Sequence, residues 1–120
     1  MKTGVHLIGD LHNCDFSAEL GSEKGMEELR DLIGQKIKEA GLTELGNFYH
    51  YFEPYAITAV VCLAESHISF HTWAAEKYTS LDVFVCNYHH DNTKKARLIF
   101  DFLINNVFKP KKVVRKEIKR

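Results

Sequence analysis

The run Glu65-Ser66-His67-Ile68-Ser69-Phe70-His71-Thr72-Trp73 sets a hydroxyl directly after a glutamate, with two imidazoles and an indole in the next seven positions. Fifteen residues past His71, Cys86 closes the run Leu81-Asp82-Val83-Phe84-Val85-Cys86. A hydroxyl, an imidazole and a thiol are the parts of nucleophilic and proton-transfer chemistry. One form of that chemistry is internal. A serine hydroxyl that attacks the carbonyl before it can break its own backbone and leave a reactive carbonyl behind. Taken singly, Ser66 reads as a strand-start serine making a local hydrogen bond, and His71 as a half-exposed strand residue.

Competing chemistries find less support. The nucleophile elbow G-x-S-x-G is absent, with Ala64-Glu65-Ser66-His67-Ile68 in its place. His67 and His71 would meet on a helix, but the local composition favours a strand, where four residues span about 13 Å. One ion cannot be held by both at that distance, and neither HExxH nor a Cys/His ligand set occurs, so no metal is expected. The glycines fit neither a P-loop nor a dinucleotide fingerprint. Cys14, Cys62 and Cys86 make an odd count without a CxxC pair, which speaks against a disulfide framework. Cys62 reads as a buried thiol.

The elements that must position these residues follow from periodicity. Gly4 to Cys14 reads as a strand ending in a turn. Ser22 is a plausible N-cap for a helix over 23–40, with Met26, Leu29, Ile33 and Ile37 as its apolar stripe and Gly41 as its stop. Asn47 to Glu53 is aromatic and strand-like, and Pro54 suggests a hairpin-type reversal. The nearly all-apolar run Ala56 to Leu63 predicts a central strand covered on both faces. Strands over 66–72 and 78–86 follow. Asp91-Asn92-Thr93 starts a second helix whose buried side is Ala96, Ile99, Phe100, Leu103 and Val107. Pro110 prevents its continuation, and Val113 to Ile118 gives a last strand. The order β-α-β-β-β-β-α-β, with short connections, implies an α+β fold. It is a two-layer α/β sandwich with a mainly antiparallel sheet and both helices on one face.

Length and composition fit one domain spanning residues 1–120, with 45% hydrophobic and 27% charged residues. No apolar run approaches the roughly 20 residues of a membrane span, and the N-terminus lacks a signal-peptide core, so a cytoplasmic location is expected. Net charge is zero, yet residues 109–120 hold seven basic residues and one acidic. Val113, Val114 and Ile118 interleave with those charges, which reads as a solvated edge strand rather than a nucleic-acid surface.

Taken together, the stretch from Ala64 to Cys86 closely resembles the self-processing segment of the prokaryotic, pyruvoyl-dependent S-adenosylmethionine decarboxylase proenzymes. The matching pieces are Glu65-Ser66-His67, His71-Thr72-Trp73, Asp82-Val83-Phe84 and Cys86. The likeness extends more loosely to His6-Leu7, Cys14-Asp15, and Phe52 with Pro54-Tyr55. It implies cleavage between Glu65 and Ser66, giving a β chain of residues 1–65 and an α chain of residues 66–120. Ser66 would become a pyruvoyl group that forms a Schiff base with the substrate amine, in place of pyridoxal phosphate and with no metal. His71 matches the residue that accepts a proton in processing, and Cys86 the proton donor in decarboxylation. Phe52 matches a position lining the nucleobase pocket, with Trp73 nearby. The resemblance further implies a homodimer in which two sheets stack into a four-layer αββα sandwich, with sites near the interface.

The chain departs from that family pattern in places. Trp73-Ala74-Ala75 stands where the family carries Trp-Pro-Glu or Tyr-Pro-Glu, so the acid expected on the substrate's ribose is missing and adjacent Glu76 is the candidate replacement. Thr58 keeps a hydroxyl where a serine is common beside the processing site, and Asn87 replaces a frequent glycine. The implied reaction is removal of carbon dioxide from S-adenosylmethionine, a small amino-acid-type substrate, for spermidine and polyamine synthesis. Two alternatives stay open. One is a pyruvoyl-dependent arginine or ornithine decarboxylase of the same family. The other is a non-catalytic regulatory homologue, which would stay uncut.

Overall fold

The computed structural model describes residues 3–16, 18–54, 56–88 and 90–120. Its order is β1 (Gly4–His12), a 3-10 turn (Ala18–Gly21), α1 (Glu23–Glu39), β2 (Glu44–Phe52), β3 (Ala56–Leu63), β4 (Ser66–Trp73), β5 (Tyr78–Cys86), α2 (Thr93–Phe102) running on as a π-helical segment (Leu103–Phe108), and β6 (Lys112–Lys119). All six strands form one antiparallel sheet in the order β2-β3-β4-β5-β1-β6. The α+β two-layer sandwich expected from the pattern is the fold observed.

Period-two alternation fixes which residues face the helices. On β4, Ile68, Phe70 and Thr72 are buried, while His67, Ser69, His71 and Trp73 lie on the other face. On β5, Thr79, Leu81, Val83 and Val85 point inward, and Tyr78, Ser80, Asp82, Phe84 and Cys86 outward. The inward set packs on Met26, Leu29, Ile33 and Ile37 of α1 and on Ala96, Ile99 and Phe100 of α2. Phe70 is central, its ring 5.2 Å from Phe108 and 6.2 Å from Tyr49. A Cβ on Gly9 would come within 2.9 Å of the Phe100 ring, so the absence of a side chain lets α2 lie close against β1.

Helix ends follow their sequence signals. Ser22 Oγ accepts the Gly25 N–H at 2.9 Å, and Gly41 leaves the helix at φ +79°, a value that suits glycine. The C-terminal strand is an exposed edge tied to α2 by pairs Arg115–Asp101 and Arg97–Glu117. That matches the solvated edge reading of the basic tail.

Two expectations need correcting. The apolar run of β3 is one strand in from the edge and is covered on one face only: Val60 is 45% exposed. For the same reason Cys62 is exposed rather than buried. An apolar outer face on a strand calls for cover, but that cover does not come from this chain's own helices. Phe48, Phe52, Trp73, Val114 and Ile118 share the open face with Val60. No helix among the described residues is long and apolar enough to cross a membrane.

Candidate active site

The β3–β4 hairpin is very tight. Leu63 pairs with Ser66, leaving Ala64 and Glu65 as the turn. Period-two alternation puts Ser66 and His71, five residues apart, on opposite faces unless a bulge or sharp turn intervenes. The β3–β4 ladder runs without a register shift, and the irregularity is the sharp turn, with Ser66 at φ +148°. Few L-residues adopt that conformation, and such positions hold about 1–3 kcal/mol of strain.

Glu65 is held at both ends. Its carboxylate accepts the Thr43 N–H at 3.1 Å, and its carbonyl oxygen accepts the Cys86 N–H at 2.7 Å. The second bond comes from the last residue of β5 and points at the carbonyl that the Ser66 hydroxyl would attack. A donor there polarises the carbonyl and stabilises negative charge on its oxygen as a tetrahedral adduct forms. Cys86 is half-buried. Its own carbonyl accepts from the Asn92 side-chain amide at 2.9 Å.

His71 belongs to a second group. It pairs in register with Thr58, and Thr58 Oγ1 lies 3.1 Å from His71 Nδ1, so the hydroxyl engages that nitrogen of the ring. Its ring sits 5.9 Å from the Trp73 ring, and Trp73 stacks on Tyr78 at 5.3 Å. Tyr78 donates to Asp10, which pushes the phenol up to about 12. Trp73 and Glu76 share two shallow clefts at this end of the sheet. One, of about 340 Å³, adds Pro54, Ala56, Ala74 and Ala75, and the other adds His12 and Tyr78. Phe52 pairs with Ala56 across β2 and β3 and is half-exposed against His50.

The residues singled out by sequence therefore fall into two groups on one sheet. Glu65, Ser66 and Cys86 gather at one end. Thr58, His71, Trp73, Glu76 and Phe52 gather at the other. Ser66 and His71 occupy one regular strand five residues apart, so their Cα atoms are about 16 Å from each other.

Sequence reading named His6 and Asp82 only as pieces of the resemblance and did not pair them; their side chains meet at 3.0 Å on the open face, within ring contact of His67. Burial, then His6, lower the His67 pKa; Asp82 pulls the other way, and Arg120 adds the smallest lowering influence. Nor did it find Asn92 beyond its place at a helix start. The signal for the His6–Asp82 pair was parity: both are outward positions on strands that prove to be neighbours. No group of three or more His, Cys, Asp or Glu residues poised to hold a metal ion occurs among the described residues.

Comparison with known proteins bears on this arrangement. A family profile described as S-adenosylmethionine decarboxylase matches residues 5–120. The S-adenosylmethionine decarboxylase proenzyme of Persephonella marina is 33% identical over 117 residues, covering 98% of this chain and 81% of its own. That of Synechococcus sp. strain WH7803 is 44% identical over 100 residues, covering 83% and 75%. The crystal structure of the adenosylmethionine decarboxylase from Aquifex aeolicus matches this fold with a TM-score of 0.81 at 31% identity, covering 99% of this chain and 91% of that one.

Proposed function

The chain belongs to the S-adenosylmethionine decarboxylase family, and we propose that it is a self-processing, pyruvoyl-dependent decarboxylase acting on S-adenosylmethionine. The observation that carries this reading is the Glu65–Ser66 bond: a strained serine follows a carbonyl already held by the Cys86 N–H at 2.7 Å.

Self-cleavage needs three things from the chain. Ser66 Oγ attacks the Glu65 carbonyl carbon, and the Cys86 N–H takes up the charge that develops on its oxygen. The hydroxyl proton passes to an imidazole, and collapse of the adduct breaks the Glu65–Ser66 C–N bond, so an ester replaces the amide and the freed amine is protonated. Loss of the Ser66 α-proton then expels the Glu65 carboxylate. The dehydroalanine left at position 66 tautomerises, and water replaces its nitrogen, which departs as ammonia. The residues fit this product, since the former Ser66 ends at the head of β4, paired with Val85 next to Cys86 on β5. A pyruvoyl group supplies an electron-withdrawing ketone when carbon dioxide leaves the substrate. Cys86 then returns a proton, a general-acid role open to a thiol.

The imidazole that serves Ser66 comes from a second copy. His71 of the same chain is about 16 Å down the strand, beyond the ~3 Å reach that proton transfer needs. Stacking two copies through their open sheet faces with β4 crossing β4 in reverse brings the Ser66 end of one over the His71 end of the other. That arrangement also covers Val60, Phe48, Phe52 and Trp73, which one chain leaves exposed. Each complete site then joins Glu65, Ser66 and Cys86 of one protomer to Thr58, His71, Trp73 and Glu76 of its partner. Glu76 provides the carboxylate that Ala75 lacks, on the rim of the Trp73 clefts, where a nucleoside base and its hydroxyls find an aromatic face and an acceptor.

Release of labelled carbon dioxide from carboxyl-labelled S-adenosylmethionine, ornithine and arginine tests the substrate. The reading predicts release from S-adenosylmethionine. Release from ornithine or arginine alone replaces the substrate, and release from none leaves a non-catalytic homologue.

A further inference from the structure

Asn92 stands at the N-cap position of α2, where an asparagine side chain ordinarily accepts an N–H of the first turn. It makes no such bond. Its amide is instead turned back to donate to the Cys86 carbonyl at 2.9 Å, and the residue is only 6% exposed. The cap is supplied by a neighbour, Asp91 Oδ1 accepting the Thr93 N–H at 3.0 Å. Asn87 completes the arrangement. Its Oδ1 accepts the Asn92 N–H at 2.8 Å and its Nδ2 donates to Thr93 Oγ1 at 3.2 Å. Two asparagines thus fasten the end of β5 to the start of α2 at the residue whose N–H holds the Glu65 carbonyl.

We propose that Asn92 is a positioning residue for both chemical steps, fixing Cys86 so that its N–H stays on the Glu65 carbonyl and its thiol stays presented to the reaction site. This rests on the self-processing reading above and adds to it a residue that touches neither Ser66 nor the reacting atoms. A buried amide facing the carbonyl of half-buried Cys86 is satisfied only if β5 ends in this one conformation, because a shift of Cys86 would strand a donor and an acceptor at once. Asn87 contributes by holding the Asn92 backbone, and it does so from a position where the resemblance expects a glycine that could not.

Asn92→Asp tests this with little change of shape. The carboxylate keeps the ability to cap a helix but cannot donate to Cys86, and it sets an acceptor against an acceptor. Asp91→Ala is the control, since it weakens the same helix start without touching Cys86. In chains refolded from denaturant, Asn92→Asp is expected to slow self-cleavage by about tenfold, the scale of one lost buried hydrogen bond. The chains that do cleave should show a lower kcat with KM within about twofold, the pattern of a misplaced catalytic group rather than weaker substrate binding. Asp91→Ala should lower thermal stability while cleaving at the wild-type rate. Equal cleavage and kcat in Asn92→Asp and wild type overturn the proposal, as does equal slowing in Asp91→Ala. Asn87→Ala, which leaves the Asn92–Cys86 contact partners in place, gives the same direction with a smaller effect if Asn92→Asp does not fold, and an unchanged rate overturns the idea. Amide exchange of the Cys86 N–H in the uncleavable Ser66→Ala chain separates this from the reading it rests on. Asn92→Asp should accelerate that exchange whether or not wild type cuts itself, and unchanged exchange refutes the clamp. A wild-type chain that never cuts refutes self-processing instead.

Discussion

Mixing two inactive variants distinguishes a site built within one chain from a site shared between two. Ser66→Ala cannot be cut, because it has no nucleophile. His71→Ala keeps the nucleophile and loses the imidazole, whose proton transfer is worth about 10²–10⁴-fold. Within one chain the two groups lie about 16 Å apart on a regular strand, and Thr58 further pins the imidazole through Nδ1. If each site takes His71 from the partner, a mixed dimer holds one complete site, formed by Ser66 of the His71→Ala chain and His71 of the Ser66→Ala chain, and one site lacking both. Equimolar co-refolding makes about half of all dimers mixed, so about a quarter of all chains, every one a His71→Ala chain, should be cut at the wild-type rate. Distinguishable tags and a time course on a denaturing gel give the count. If the His71→Ala chain is cut no faster in the mixture than alone, the shared site is wrong. If His71→Ala alone cuts at the wild-type rate, His71 has no part in processing.

Cys86→Ala keeps the backbone N–H on the Glu65 carbonyl and removes only the thiol, so cleavage should proceed while turnover of the cleaved protein falls by about 10²-fold or more; unchanged turnover removes Cys86 as the proton donor. Phe70, fully buried between Tyr49 and Phe108, should cost about 3–5 kcal/mol when replaced by alanine in the Ser66→Ala chain, read by urea denaturation of an unbroken polypeptide. His67 titrates below its ordinary value because burial and the neighbouring His6 disfavour its cation. The unfolded chain therefore binds a proton at His67 before the folded one does. Its contribution to stability is intact above about pH 6.5, declines as pH falls below that, and is gone once the folded imidazole protonates. His67→Gln should flatten stability against pH in that window, and an unchanged slope would show that the neutral imidazole is not held by the fold.

Local pattern carried much of the architecture. The stripe Met26, Leu29, Ile33 and Ile37 and the cap Ser22 gave α1 almost to the residue, and the interleaved charges of the last strand read correctly as a solvated edge. In the structure His67, His71 and Trp73 share one face, as strand alternation requires. Alternation does not say what covers a face, which is why Val60 and Cys62 read as buried and prove exposed. The apolar signal was sound; the helices that could have answered it lie on the opposite side of the sheet. The five-residue offset between Ser66 and His71 was legible as a difficulty of parity. The sharp turn accounts for the irregular backbone at Ser66, but distance is the larger problem, and a strand's rise per residue would have revealed it. Asn92 was out of reach, since an asparagine before a helix predicts a cap and only the fold shows that its amide turns to Cys86.

Intact-mass analysis of the purified, catalytically competent protein shows whether the chain has cut itself. Self-cleavage at Ser66 replaces the 13.8 kDa chain by residues 1–65 and residues 66–120. The second chain should be blocked to Edman sequencing, reactive to hydrazine, and lighter by one ammonia than a chain beginning with serine. A single 13.8 kDa species that decarboxylates its substrate with Ser66 unmodified would contradict it.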